Sequence, residues 1–265
     1  MVEGRQMRVT RRRRARRGVV VCLLLVTPWV SGRAHAQGEV RGTITVSAAA
    51  SLRDAFTEIG KAFRAQHPSV KVRFNFGSSG TLVAQIASGA PVDVAAFADR
   101  ATMDRLVSSG LVGSAPAVFA RNSMMIAVKK GNPLKVSAVA DLRRVGVVAM
   151  CVASAPCGSY ATTVLGRAGV SIPESSITRG TDVRAVVTQV ASGDAQAGLV
   201  YVTDVRASAS SVTGVPIPGS ANVTASYPIA VVKGSKNAST AATFVAFVNT
   251  ARARAILATW GFVTP

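Results

Sequence analysis

Between Ile44 and Gly89 the chain twice runs an apolar strand into a turn of small residues holding serine, and each turn opens directly into an amphipathic helix. The first unit reads ITVSAAASLRDAFTEIG and the second ends in FNFGSSGTLVAQIASG. Strands that feed helices at once are the pattern of a parallel sheet with helices on its faces. The same pattern has a chemical consequence. A helix start leaves backbone N–H groups without intrahelical partners, so two serine-bearing starts side by side suit an anion.

The alternation continues along the chain. A strand over 43–47 leads to a helix from Ser51, with Leu52, Ala55, Phe56, Ile59 and Phe63 at helical spacing until Pro68. Val70, Val72, Phe74 and Phe76 then alternate with polar residues, as in a strand, and a short helix carrying Leu82, Val83 and Ile86 follows, stopped by Gly89. A strand over 92–98 leads to Asp99, a good N-cap for a helix with Met103 and Leu106. Further strands are expected over 124–128, 145–150 and 197–202, a short helix near 139–143, and apolar stretches at 212–217 and 229–232. Helical stripes follow Pro156-Cys157-Gly158, expected to close a loop over 151–159, and Asp182, and one amphipathic helix is expected from Phe244 through Leu257. The fold class is α/β, with length enough for two sheets.

The first 36 residues stand apart. RRRRARR precedes the apolar run VVVCLLLVTPWV (19–30), and Ala34-His35-Ala36 is a small-x-small cleavage site. Residues 1–36 read as a secretory signal cut before Gln37, with the product exported to the periplasm or cell-envelope exterior. The run is shorter than the roughly 20 apolar residues of a membrane span and contains Pro28. Arg16-Arg17 also fits a twin-arginine signal, although an arginine-rich n-region accounts for it as well. Cys22 lies inside the leader without the small neighbour of a lipidation site.

This leader carries nine arginines and one glutamate, so its removal lowers the net charge from +19 to +11. The remaining basic residues are spread without a run of five, and aromatics are only 5%, which argues against a nucleic-acid surface and for a solvated basic one that draws anions toward a cleft. The remaining cysteines, Cys151 and Cys157, would meet an oxidising compartment, which favours a disulfide over two buried thiols.

His67 is the single histidine beyond the leader, and it lies at the opposite end of its helix from Ser51. A Ser-His-Asp triad is therefore not expected. H-E-x-x-H, paired C-x-x-C and carboxylate-rich calcium patterns are absent from the sequence, so neither a cation centre nor a cofactor is expected. What remains is a binder. Parallel sheets bind ligands beyond the carboxyl ends of their strands, and the turns at Ser51, Ser79, Cys157 and Val183 all meet that description. Taken singly, a serine at a helix start is an ordinary N-cap, and Tyr201 an ordinary rim or core aromatic.

Taken jointly, the residues resemble a known family. Ala48-Ala49-Ala50-Ser51-Leu52, Gly77-Ser78-Ser79-Gly80-Thr81-Leu82, Gly89-Ala90-Pro91-Val92-Asp93-Val94, Pro156-Cys157-Gly158, Asp182-Val183-Arg184, Gly198-Leu199-Val200-Tyr201 and Tyr227-Pro228-Ile229-Ala230 are similar to the periplasmic molybdate-binding proteins of ABC importers. The resemblance implies a type II periplasmic-binding-protein fold: two α/β lobes with a ligand cleft between them, joined by crossing strands. Lobe I would comprise 37–121 and 230–265, and lobe II 122–229.

It further implies an oxyanion held by Ser51 and Ser79 through hydroxyl and backbone donors, by the backbone N–H groups of Cys157 and Val183, and by the Tyr201 phenol. Such a donor-only set suits molybdate or tungstate, while hydrogen phosphate would want an acceptor. Cys157 stands where the family commonly has alanine, and a Cys151–Cys157 bridge there would pin the loop that walls the cleft. Asp182 is expected to cap its helix and Arg184 to be solvated. The function implied is a monomeric carrier that delivers molybdate or tungstate to a membrane permease, with no cofactor and no enzymatic activity. Sulfate or another tetrahedral oxyanion is the alternative ligand; an exported enzyme or a polyanion-binding surface protein are the alternatives of other classes.

Overall fold

The computed structural model describes residues 1–4, 6 and 40–265, so the leader's apolar run and its cleavage site lie outside the described residues. From residue 42 onward strand and helix alternate: β1 (Gly42–Ala49), α1 (Arg53–Gln66), β2 (Val70–Gly77), α2 (Ser79–Ala87), β3 (Val94–Ala96) and α3 (Arg100–Ser108). A long strand, β4 (Ala117–Lys129), separates these from β5 (Val148–Cys151), α4 (Pro156–Arg167), β6 (Ile177–Gly180), α5 (Val183–Ser192), β7 (Ala197–Tyr201), α6 (Val202–Ala207) and β8 (Val212–Pro216). The chain closes with β9 (Thr224–Val231), α7 (Ala238–Val248) and α8 (Ala251–Thr259).

Two parallel groups share one antiparallel seam. β2, β1 and β3 are parallel neighbours, as are β6, β5 and β7. Strand β4 joins them: its first half pairs antiparallel with β9 over Ala117 to Ser123, and its second half pairs with β7 and β8 from Met124 onward. β9 in turn pairs with β3. Strand order is therefore β2-β1-β3-β9-β4-β7-β5-β6, with β8 beside β4. This is the type II periplasmic-binding-protein arrangement, two α/β lobes with crossing strands and a cleft between them.

The apolar spacing explains the packing. The predicted face of α1 buries Ala55, Phe56, Ile59 and Phe63, and Phe56 and Phe63 meet Phe244 of α7 at ring-centroid distances of 6.3 and 5.2 Å. Burying each such ring contributes about 1.5–3 kcal/mol. That contact sews the C-terminal helices onto the first lobe.

Several expectations need correction. The strand expected over 124–128 begins at Ala117, because Arg121 and Asn122 interrupt its apolar run without interrupting its pairing. The strand expected over 92–98 shortens to Val94–Ala96. β6 lies where only a turn was expected, whereas the short helix expected over 139–143 is present as a 3-10 helix, Val139–Arg143. The single C-terminal helix is two, broken at Asn249-Thr250, where the Thr250 hydroxyl accepts from Ala253 N–H at 3.4 Å and starts α8. Helices α2 and α4 begin earlier than the sequence suggests, at Ser79 and Pro156, so Ser79 and Cys157 sit inside first helical turns.

Candidate functional site

Ser51, Ser79, Cys157, Val183 and Tyr201 line one cavity between the lobes. Its free volume is about 10 Å³, far below the 300–1,000 Å³ of sites for drug-sized organic ligands. A ligand of a few atoms is the class it suits.

Each residue is delivered by a strand-to-helix junction. Ser51 lies in a 3-10 turn, Ala50–Leu52, that runs straight into α1. Ser79 and Val183 are the first residues of α2 and α5, and Cys157 is the second of α4, after a proline well placed at the first position. First-turn N–H groups have no intrahelical acceptor; side-chain caps take those of Thr81, Arg184 and Ala185, and those of Ser79, Cys157 and Val183 stand at the helix starts that line the cavity. The helix dipoles add positive potential there, about 0.3–1 kcal/mol for each exposed terminus toward a unit negative charge.

The side chains sort into caps and donors. Ser78, not Ser79, caps α2, accepting from Thr81 N–H at 3.2 Å. The Ser79 hydroxyl accepts from Ala98 N–H at 3.0 Å, which leaves its own proton to donate. Asp182 turns its carboxylate onto its own helix, accepting from the N–H groups of Arg184 and Ala185, so the one acid lining the cavity works as the expected cap. Tyr201 ends β7 fully buried, and its hydroxyl has no hydrogen-bond partner among the described residues. Burial, first, and the neighbouring Tyr227 hold its ionisation well above the usual phenol range, so it stays a donor.

The Cys151–Cys157 disulfide is formed, with the Cα atoms 5.7 Å apart. It ties the end of β5 to the first turn of α4. Behind that turn there is no spare room. A Cβ on Gly158 would stand 2.2 Å from the Val152 carbonyl oxygen, so glycine alone lets the backbone close here.

Arg184 corrects the sequence reading: it is an ion-pair residue rather than a solvated one. Its guanidinium binds Asp54 on the first turn of α1 and stands 3.6 Å from the Asp204 carboxylate of α6, too long for a hydrogen bond. Asp204 is completely buried; burial pushes its carboxyl up to about 7, while Arg184 and the Tyr201 N–H pull it down. Sequence reasoning also missed Asn122 and Tyr227, which lie behind Ser51. The available signals were a polar residue within a strand pattern and a tyrosine inside one of the matched family motifs.

Residues 44–263 match the model of the bacterial extracellular solute-binding proteins. The chain belongs to that family. Among its relatives, the molybdate-binding protein ModA of Mycobacterium tuberculosis is 42% identical over 224 residues, covering 84% of this chain and 85% of that protein. A solved substrate-binding domain of a putative molybdenum ABC transporter from Clostridium difficile is 28% identical, with a TM-score of 0.64 over 84% of this chain and 99% of that one. The Azotobacter vinelandii periplasmic molybdate-binding protein is similar in fold, with a TM-score of 0.77 at 22% identity, over 84% of this chain and 99% of that chain. As a solute-binding protein, the chain carries its cavity in the cleft between its two lobes. Among its described residues no helix is long and apolar enough to cross a membrane.

Proposed function

We propose that this solute-binding protein captures molybdate, and tungstate with it, outside the cytoplasm and delivers it to the permease of an ABC importer. The observation that carries the reading is Tyr201: a completely buried hydroxyl without a partner among the described residues, on a residue lining a small cavity surrounded by helix N-termini. A buried unpaired donor costs about 1–3 kcal/mol, a penalty that a bound acceptor removes. The ligand set is Ser51, Ser79, Cys157, Val183 and Tyr201, and every member donates. The names of the 42% identical relative and of the two solved structures favour molybdate among tetrahedral dianions.

The protein works as a monomeric carrier, without cofactor or catalytic step. Lobe I spans 37–121 and 230–265 and lobe II 122–229, a division supported by the change of partner along β4 at Ser123-Met124. Thermal unfolding of the chain from Gln37 onward, measured against molybdate, tungstate, sulfate and phosphate, tests the reading, because a ligand bound only by the folded state raises stability by RT ln(1 + [L]/Kd). Strong stabilisation by the first two is expected. Stabilisation by sulfate alone would overturn the assignment.

A further inference from the structure

Ser51 Oγ lies 2.9 Å from Tyr227 Oη, and distance does not say which oxygen donates. The surrounding groups do. Asn122 Oδ1 accepts from Ser123 N–H at 2.9 Å, and a backbone N–H can only donate, so the orientation of this amide is fixed. Its Nδ2 then donates twice, to Thr203 Oγ1 at 2.9 Å and to Tyr227 Oη at 3.4 Å. Tyr227 is completely buried, and Ser51 is the one acceptor near its hydroxyl among the described residues. If Ser51 donated to it, the phenol proton would be buried without an acceptor, which is costly. The phenol proton therefore goes to Ser51 Oγ, and the serine proton is turned away from Tyr227, toward the cavity.

We infer that Asn122 and Tyr227 are positioning residues that lock Ser51 as a donor, and so sustain from behind the cavity the donor polarity already expected of the ligand set. The inference rests on the oxyanion reading above. Ser79 is held the same way by Ala98 N–H, so each serine has one lone pair engaged and its proton left to donate. Molybdate accepts from all of them. Hydrogen phosphate has equal charge but one O–H, and the acceptors it meets among these residues are the hydroxyl oxygens of Ser51, Ser79 and Tyr201, each of which already offers its proton to the ligand and gains less by accepting than a carboxylate would.

The lock spans the crossing strands. Asn122 sits on β4 and Tyr227 on β9, which pair with each other, so the orientation of a lobe I ligand is set from the seam between the lobes.

Competition titrations of molybdate and hydrogen phosphate at pH 8 test this on the parent chain, Tyr227→Phe and Asn122→Asp. Phenylalanine keeps the ring packed against Phe119, Tyr201 and Phe262 while removing the proton source. In Asn122→Asp the new carboxylate would accept the phenol proton, so Tyr227 would accept from Ser51 and the serine would show its lone pairs to the ligand. Asn122→Asp should lose molybdate affinity by about tenfold, the scale of one hydrogen bond to a charged group, and Tyr227→Phe by less, because its serine proton is unlocked but still free to turn to the ligand. The ratio of the two dissociation constants should fall in Tyr227→Phe and fall further in Asn122→Asp. A purely structural role would weaken both dianions alike, as would the negative charge that Asn122→Asp adds, and an unchanged ratio in both variants overturns the inference. Failure of the parent chain to bind molybdate overturns the functional reading as well, so the two failures are distinguishable.

Discussion

The Arg184 guanidinium, next to the cavity residue Val183, binds the Asp54 carboxylate on the first turn of α1, three residues beyond Ser51. One ion pair thus fastens the two sides of the cleft beside the proposed ligand. Both partners are partly exposed, with side-chain accessibilities of 23% and 34%, so its own contribution is small, about 1 kcal/mol at most. Asp54→Asn should therefore weaken molybdate binding by up to about fivefold, mostly through faster release, as stopped-flow dissociation would read. Release at the parent rate would remove the clasp from the account.

Arg184→Met should behave differently, because it also deprives the buried Asp204 of its counter-charge. Removing one partner of a buried pair costs on the order of 3–5 kcal/mol. The cost should be greater at pH 8, where Asp204 is largely ionised in the parent, than at pH 5, where it is already protonated. Denaturant unfolding at both values checks this, and equal losses would contradict it.

Asp204 itself gives a signed pH dependence. Its carboxyl titrates near 7 in the folded chain against an ordinary value of 3.8, so between these values the folded state holds the extra proton. Its contribution to stability is complete below about pH 4 and is lost as pH rises through about 7, with a slope of up to about 1.4 kcal/mol per pH unit. Asp204→Asn should flatten the stability profile of the chain over that window. A profile parallel to the parent's would show that Asp204 titrates normally.

The disulfide should matter to both stability and affinity. It closes a short loop, with a sequence separation of 6, worth roughly 2 kcal/mol against the unfolded chain. It also fixes the first turn of α4, whose Cys157 N–H is a proposed ligand. Reduction, or the double change Cys151→Ala with Cys157→Ala, should lower the unfolding temperature and weaken molybdate binding. Equal dissociation constants with and without reductant would contradict the second effect.

Gly80 offers a test of closure that leaves every proposed ligand in place. A Cβ there would stand 2.6 Å from the Ser154 carbonyl oxygen, on the loop before α4. Gly80→Ala should prop the cleft open, with an overpacking cost of about 1–3 kcal/mol to the closed form, seen as roughly a tenfold or greater loss in molybdate affinity. Unchanged affinity would mean the two surfaces need not approach so closely.

Much of the fold could be read locally. The α1 face, the Asp99 and Asp182 caps and the strand-to-helix turns depend on neighbours within one or two helical turns, and periodicity reports such neighbours. The five proposed ligands also meet at one cavity, because each sits at a junction that a parallel sheet places at the same end. Long-range polar partners were not legible. Arg184 looks solvated until Asp54, 130 residues away, is brought beside it, and Tyr227 looks like core until Ser51, 176 residues away, meets its hydroxyl. Asn122 interrupts an apolar pattern and so hid half of β4, although its polarity is what the buried hydroxyl network uses.

The most direct test is a calorimetric titration of molybdate into the chain from Gln37 onward, run in parallel on Tyr201→Phe. The account predicts saturable binding of one molybdate per chain, weakened in the variant by about 1.5–3 kcal/mol, the value of a hydrogen bond to a charged group, which is roughly 10- to 150-fold in Kd. Absence of binding by the parent, or a Tyr201→Phe isotherm that overlays the parent's, would contradict it.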